Sequence, residues 1–243
     1  IVIILGGPEV SYDSDSILVN NTFIDFIIRD EGEKTLLELI RYLNEANYDA
    51  NKIKGLTYRE NDKIISNPSR ELISNLDEIP FPYENLEALE NKIIYYETTR
   101  GCPFNCQYCL SSTINGVRFF SFERVKSDLD IFFKSNVKQV KLVDRTFNCK
   151  KDHATNIIKY IISKNVKTNF HFEISADLLD DELIDLLNSA PLNMFQLEIV
   201  VQSTNLNTLN EIKRNTNLNR LYENIKKLLK NGNMHIHLDL IAG

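Results

Sequence analysis

Ile93-Ile-Tyr-Tyr-Glu-Thr-Thr-Arg-Gly-Cys-Pro-Phe-Asn-Cys-Gln-Tyr-Cys-Leu110 runs from a strand-like stretch, 93–98, straight into cysteines at C-x3-C-x2-C spacing. The pattern of the chain beyond it decides the fold. Strand patterns at 137–143, 168–174, 194–200 and 235–242 alternate with helical patterns over 121–134, 152–164, 180–188, 205–213 and 218–231. Strict strand–helix alternation specifies a parallel sheet or barrel, because each crossover must return to the same edge of the strand before it. Chemistry in such barrels gathers at the C-terminal ends of the strands, which is where the cysteine loop begins.

Thiolates at positions 102, 106 and 109 can take three corners of a 4Fe-4S cube and leave the fourth iron open to a ligand. Gly101, just before them, admits a tight backbone approach. A structural zinc site needs a fourth ligand, and the remaining cysteine, Cys149 in Phe147-Asn-Cys-Lys150, is remote and has no paired C-x2-C partner. Cys149 reads as a small half-buried thiol, not a ligand. A disulfide framework is disfavoured in a chain of 243 residues, which does not need staples to form a core. With 43% hydrophobic and 26% charged residues the composition is that of a globular protein, which excludes a disordered chain. Apolar runs such as Ile1–Leu5 are too short to span a bilayer, and no cationic stretch precedes a hydrophobic core at the start. A cytoplasmic protein without membrane contact is expected. The net charge of -6 argues against a broad nucleic-acid surface. The chain opens without Met inside an apolar run and closes straight after a strand, so a piece of a longer protein is expected.

The cysteine triad, with the aromatic Tyr108 immediately before its last member, resembles the signature of the radical S-adenosylmethionine (radical SAM) superfamily. The resemblance implies a 4Fe-4S cluster on Cys102, Cys106 and Cys109, with S-adenosylmethionine at the open iron and Tyr108 beside it. It implies reductive cleavage to methionine and a 5'-deoxyadenosyl radical that abstracts hydrogen from a substrate, and a reducing electron donor such as flavodoxin or ferredoxin. The substrate itself is not readable. Glu173 in His171-Phe-Glu-Ile-Ser175, Gln202 and Ser203 ending Glu198-Ile-Val-Val-Gln-Ser203, Arg214 in the next helix and Asp239 on the last strand are similar in placement to the cofactor-binding residues of the oxygen-independent coproporphyrinogen oxidase type. By that resemblance they contact the ribose and the methionine carboxylate. Their chemistry is suitable, since a carboxylate accepts from two hydroxyls and a guanidinium pairs with a carboxylate. Where such proteins often carry a Gly-Gly-Glu turn, this chain has Leu142-Val-Asp-Arg-Thr-Phe-Asn148. Asp144 is the expected partner of the methionine amine, with neutralisation by Arg145 as the alternative.

Ahead of the barrel, residues 1–50 read as strand 1–5, a turn at Gly6-Gly7-Pro8, strand 23–28 and a helix over 33–44 with Leu36, Leu37, Leu39, Ile40 and Leu43 on its apolar face. Residues 51–92 read as a hairpin, 55–59 and 63–66 around Asn61-Asp62, and an extended connector at Ile79-Pro-Phe-Pro82. Ile3-Ile-Leu-Gly-Gly-Pro-Glu-Val-Ser11 followed by Asp25-Phe-Ile-Ile-Arg-Asp-Glu-Gly-Glu-Lys-Thr-Leu36 is similar to the C-terminal half of a cobalamin-binding Rossmann-like domain. This implies that Gly6 and Gly7 let the backbone approach the cofactor's nucleotide tail, although a double glycine also suits any tight βα turn. Cobalamin is left open, because some relatives keep the domain without the cofactor. The expected fold class is therefore α/β, a partial parallel (β/α) radical SAM barrel over 93–243 preceded by the C-terminal part of a Rossmann-like cobalamin-binding domain. The expected function is radical SAM catalysis, joined to methyl transfer if cobalamin binds. The alternatives are a scaffold N-terminal domain or a non-catalytic iron-sulfur carrier or sensor, which has no use for the strand-end Glu, Gln and Arg.

Overall fold

The computed structural model describes residues 1–45, 47–83, 87–114, 116–135 and 137–241, and the chain divides into two compact units, Ile1–Ser74 and Asn75–Gly243.

In the first unit β1 (Ile4–Gly6) pairs in parallel with β2 (Phe26–Ile28), and β3 (Leu56–Glu60) and β4 (Lys63–Ser66) extend the same sheet antiparallel. The hairpin expected as part of a separate segment is thus the outer half of the first sheet. Its turn is the expected one, with Asn61 and Asp62 both at positive φ (47° and 64°), the mirror-image geometry whose twist suits a two-residue hairpin. Two short helices, α1 (Pro8–Ser11) and α2 (Ser14–Asn20), make the crossover between β1 and β2 where only a turn was expected. Their apolar pattern is too brief to register, since α2 buries only Ser14 and Leu18. Helix α3 (Glu33–Asn44) is where the periodicity puts it, but Leu36, Leu37, Ile40 and Leu43 are exposed and Leu39 is the buried leucine.

The second unit is built on a five-stranded parallel sheet in the order β11-β10-β9-β8-β5, from β5 (Ile93–Tyr96), β8 (Gln139–Leu142), β9 (Asn169–Ile174), β10 (Phe195–Gln202) and β11 (His235–Leu240). This is the expected partial barrel. Between the strands run α4 (Phe122–Lys134), α5 (Lys151–Lys164), α6 (Asp181–Asn188), α7 (Leu206–Glu211) and α8 (Leu218–Leu228). Alternation along the strands sends Ile94, Tyr96, Val140, Leu142, Phe170, Phe172, Phe195, Leu197 and Ile199 to the buried side, where α4, α5, α6 and α8 contribute Leu129, Phe132, Ile157, Ile158, Leu183, Leu187, Leu221 and Leu228. The opposite face of β8 to β11 is largely polar, carrying Gln139, Lys141, His171, Glu173, Gln196, Glu198, His237 and Asp239. The connector is strapped to this unit, for Arg124 donates from Nη1 to the carbonyls of Asp77 (3.0 Å) and Ile79 (2.8 Å), and Phe81 meets Phe132 with ring centres 5.5 Å apart. No helix among the described residues is long and apolar enough to cross a membrane.

Phe172 is fully buried, with ring centres 4.4 Å from Phe147 and 5.5 Å from Phe195, so truncation opens a cavity the parallel sheet cannot collapse into. Phe172→Ala is expected to destabilise the second unit by about 3–5 kcal/mol in urea unfolding; a loss below about 1 kcal/mol would contradict this packing.

Candidate functional site

The cysteines occupy the connection of a hairpin that was not expected, β6 (Thr99–Gly101) paired antiparallel with β7 (Val117–Phe119). Gly101 has φ +104°, and a Cβ there would lie 2.2 Å from the carbonyl oxygen of Gly116, so only glycine lets the neck of the loop close. Within the loop Cys106 is buried while Cys102 and Cys109 are half-buried, and all are free thiols. Cys109 donates its N–H to the Cys106 carbonyl (3.1 Å), Ser112 donates to that of Cys109 (3.0 Å), and Gln107 donates to the carbonyl of Ile212 (3.1 Å), which ties the loop to the segment following α7. Tyr108 is 49% exposed, its phenol pushed up by partial burial and then by the neighbouring charge of Cys106. Among the described residues no three Cys, His, Asp or Glu side chains gather as a single-ion site. Ligands to separate corners of an iron-sulfur cube stand farther apart than ligands to one ion, and three thiols on one loop are the donor set such a cube takes. Burial, then the charges of Asp144 and Cys102, push the Cys149 thiol up to about 11, so it stays protonated at neutral pH.

Asp144 requires a correction. Expected to face a ligand amine, it is instead fully buried and spends its oxygens inside the protein. Oδ1 accepts from the Thr98 N–H (2.8 Å), the Thr99 N–H and the Thr99 hydroxyl (2.7 Å), and Oδ2 accepts from the Thr98 hydroxyl (3.0 Å). The carboxylate at the end of β8 therefore pins the turn by which β5 becomes β6. Arg145 is exposed and does not neutralise it; its charge acts on Glu173. Buried His153 on α5 completes the arrangement, with Nε2 3.1 Å from the Thr98 hydroxyl. Because that hydroxyl already donates to Asp144, His153 is the donor to it. Burial pushes Asp144 up to about 6 against the pull of its hydrogen bonds, while burial and then Lys150 push His153 down to about 4.

At the neighbouring strand ends the structure brings Arg214 to the cysteine loop. Arg214 is 7% exposed; it donates from Nε to the Thr216 hydroxyl (3.0 Å) and from Nη2 to that of Ser175 (3.1 Å), and its guanidinium carbon lies 3.8 Å from the centre of the Phe104 ring. It has no carboxylate partner among the described residues. Ser175 in turn donates to Asp177 (2.7 Å), whose other oxygen accepts the N–H of Asn217 (3.0 Å) at the start of α8. Asn148 brackets the Ser175 peptide with one accepted and one donated bond (3.0 and 2.8 Å). Gln202 ends β10 beyond a break in the strand register, at φ +66°, with its side-chain oxygen buried and unpaired. A strained non-glycine residue holding an orphan acceptor is a mark of a binding position. Glu173 is half-buried and raised by burial, then by Glu198. Asp239 is exposed, raised by partial burial and then by its hydrogen bond with Glu198, which also receives His171 (3.0 Å) and Lys141 (3.6 Å). Ser203 accepts the N–H of Asn205 (3.1 Å) ahead of α7. Phe104, Asn148, Ser175 and Asp177 were not singled out from sequence; Phe104 alone carried a signal, its place between the first two cysteines.

Residues 96–243 match the Radical SAM superfamily. The chain belongs to that superfamily. It is 35% identical over 166 residues, 65% of this chain and 36% of the relative, to an uncharacterized methyltransferase of Pyrococcus horikoshii. It is 24% identical over 270 residues, 100% of this chain and 38% of the relative, to the cobalamin-dependent radical SAM methyltransferase TokK of Streptomyces tokunonensis. Among solved structures, the cobalamin-dependent S-adenosylmethionine radical enzyme OxsB superposes with a TM-score of 0.78 at 19% identity, covering 99% of this chain and 36% of that one. The chain thus spans little more than a third of the length of each.

The opposed shifts at Asp144 and His153 have a testable sign. Native Asp144 keeps, up to about pH 6, a proton that the unfolded chain loses near pH 3.9, so this group makes stability fall as pH rises between the two values. Native His153 is neutral above about pH 4 whereas the unfolded imidazole stays charged to about 6.5, so it makes stability rise over nearly the same window. Relative to wild type, Asp144→Asn is expected to gain stability more steeply between pH 4 and 6, and His153→Gln less steeply. Urea unfolding across that window checks this, and like-signed changes in both variants would contradict it.

Proposed function

We propose that this chain forms the core of a radical SAM enzyme of the cobalamin-dependent methyltransferase kind, in which Cys102, Cys106 and Cys109 hold a 4Fe-4S cluster and the strand ends hold S-adenosylmethionine. When bound, the cluster supplies the electron for reductive cleavage of S-adenosylmethionine, drawn from a reducing donor such as flavodoxin or ferredoxin. The protein's share is positioning. The observation that carries the reading is Arg214, a buried guanidinium beside the cysteine loop with only neutral hydroxyls for partners. The nearest carboxylate in this network, Asp177, is reached only through the Ser175 hydroxyl, so a ligand carboxylate would supply the direct, bidentate ion pair that the buried guanidinium lacks. Gln202 offers its orphan oxygen from the same rim. Glu173 and Asp239 stand on the polar face with the capacity to accept from ribose hydroxyls, and the spare donor of Ser203 and the ring of Tyr108 complete the set.

The first unit supports the cobalamin part of the reading. Gly7 follows β1 at the C-terminal end of a parallel pair, where open α/β sheets receive nucleotide ligands. Its φ is +102° and a Cβ there would meet nothing within 4 Å, so the space above the turn is open. Gly6 has no such conformational demand; a Cβ there would lie 3.7 Å from the Ile28 carbonyl oxygen. Cobalamin, when bound, supplies a carrier for methyl transfer.

In the full-length protein, reconstituted anaerobically, each of Cys102→Ala, Cys106→Ala and Cys109→Ala is expected to lose most of its iron and all formation of 5'-deoxyadenosine, while Cys149→Ala keeps both. Iron retained in Cys106→Ala and lost in Cys149→Ala would reverse the ligand assignment. Separately, Gly7→Leu is expected to abolish corrinoid absorbance in protein prepared with cobalamin and to leave iron content unchanged. A wild-type protein that takes up no corrinoid under those conditions would reduce the first unit to a scaffold.

A further inference from the structure

Besides the cysteines and Tyr108, the cysteine loop brings the side chain of Phe104 to the strand-end site. Phe104 lies between Cys102 and Cys106, is half-buried, and sets its ring against the guanidinium of Arg214 with 3.8 Å from the guanidinium carbon to the ring centre. A guanidinium is a flat plate with donors around its edge, so a useful orientation requires both the tilt of the plate and its rotation to be set. Ser175 and Thr216 fix two edge directions, through Nη2 and Nε. Neither fixes the tilt. The aromatic face does, and Nη1, which makes no hydrogen bond among the described residues, keeps its donors available to a ligand. Gln107, three residues on, binds the carbonyl of Ile212 and holds loop and arginine segment at this spacing.

We propose that Phe104 is a positioning residue that orients Arg214 toward the carboxylate of S-adenosylmethionine, and so makes cluster-loop order and carboxylate binding depend on each other. The inference rests on the reading of Arg214 as the carboxylate partner. Its physical basis is that stacking on a ring in a water-poor site is stronger than the same contact at a surface, and that coupling between two sites sharing one side chain is reciprocal.

The test uses full-length, anaerobically reconstituted protein and equilibrium binding of two ligands, S-adenosylmethionine and its decarboxylated analogue. Phe104→Leu is expected to keep the wild-type iron content, to bind S-adenosylmethionine about tenfold more weakly, and to bind the decarboxylated analogue as wild type does. Phe104→Tyr, which retains the ring, is expected to restore the affinity. If Phe104→Leu loses iron, Phe104→Met makes the same comparison with a ring-free side chain of similar bulk; loss of iron in both overturns the proposal, because Phe104 then builds the loop. Arg214→Ala separates the two levels. Weak binding in Arg214→Ala with equal effects of Phe104→Leu on both ligands overturns the positioning role and leaves the arginine reading intact, whereas unchanged binding in Arg214→Ala overturns both.

Discussion

The buried carboxylate of Asp144 is the constraint on which the second unit's geometry depends. It faces two backbone N–H groups and two hydroxyls, all from Thr98 and Thr99, and so fixes the turn at which the first barrel strand leaves the sheet. The cysteine loop beyond that turn is an excursion from a short hairpin, whose neck closes because Gly101 lies against Gly116. An ionisable group in such surroundings is a poor contributor to stability in itself, since desolvation offsets much of what its hydrogen bonds contribute. Its value is directional: two adjacent peptide N–H groups aimed at one carboxylate leave the backbone a single path.

Electrostatic asymmetry arises from the same topology. On the buried face of the sheet the strands present phenylalanine, leucine and isoleucine to the helices; on the other they present Lys141, His171, Glu173, Glu198 and Asp239. Glu198 raises its neighbours Glu173 and Asp239, and itself lies between Lys141 and His171 as the internally paired member. The only cation at the strand ends that lacks a carboxylate among the described residues yet is sheltered from water is Arg214. The polar face is thus acidic on balance, while the rim next to the thiols holds a buried guanidinium with no direct carboxylate partner among the described residues, a position that favours an anionic group from outside the chain.

Much of the second unit was legible in the sequence, because strands and helices that alternate with clear periodicity have few topologies open to them. The hairpin turn at Asn61-Asp62 was legible for a local reason, as few residues tolerate two successive positive φ values. The three-residue strands beside the cysteine loop were not, since a pair that short carries no periodicity and exists only because Asp144 and the two glycines close its base. Helices α1 and α2 escaped for the same reason.

Sequence alone thus determined the chemistry available: the thiols, their spacing, the strand–helix alternation that puts them at the C-terminal end of a parallel strand, and the Glu, Gln, Arg and Asp near later strand ends. Tertiary structure decided which of those groups are free to act. Asp144, an acidic residue after the second barrel strand, looked like a ligand contact until burial showed its lone pairs already engaged. Arg214 was named from sequence by resemblance, but its burial without a direct carboxylate partner, and the ring of Phe104 against it, came only from the packing. The reason is that hydrogen-bond satisfaction and desolvation are sums over neighbours drawn from distant parts of the chain, and no local pattern of residues carries that sum.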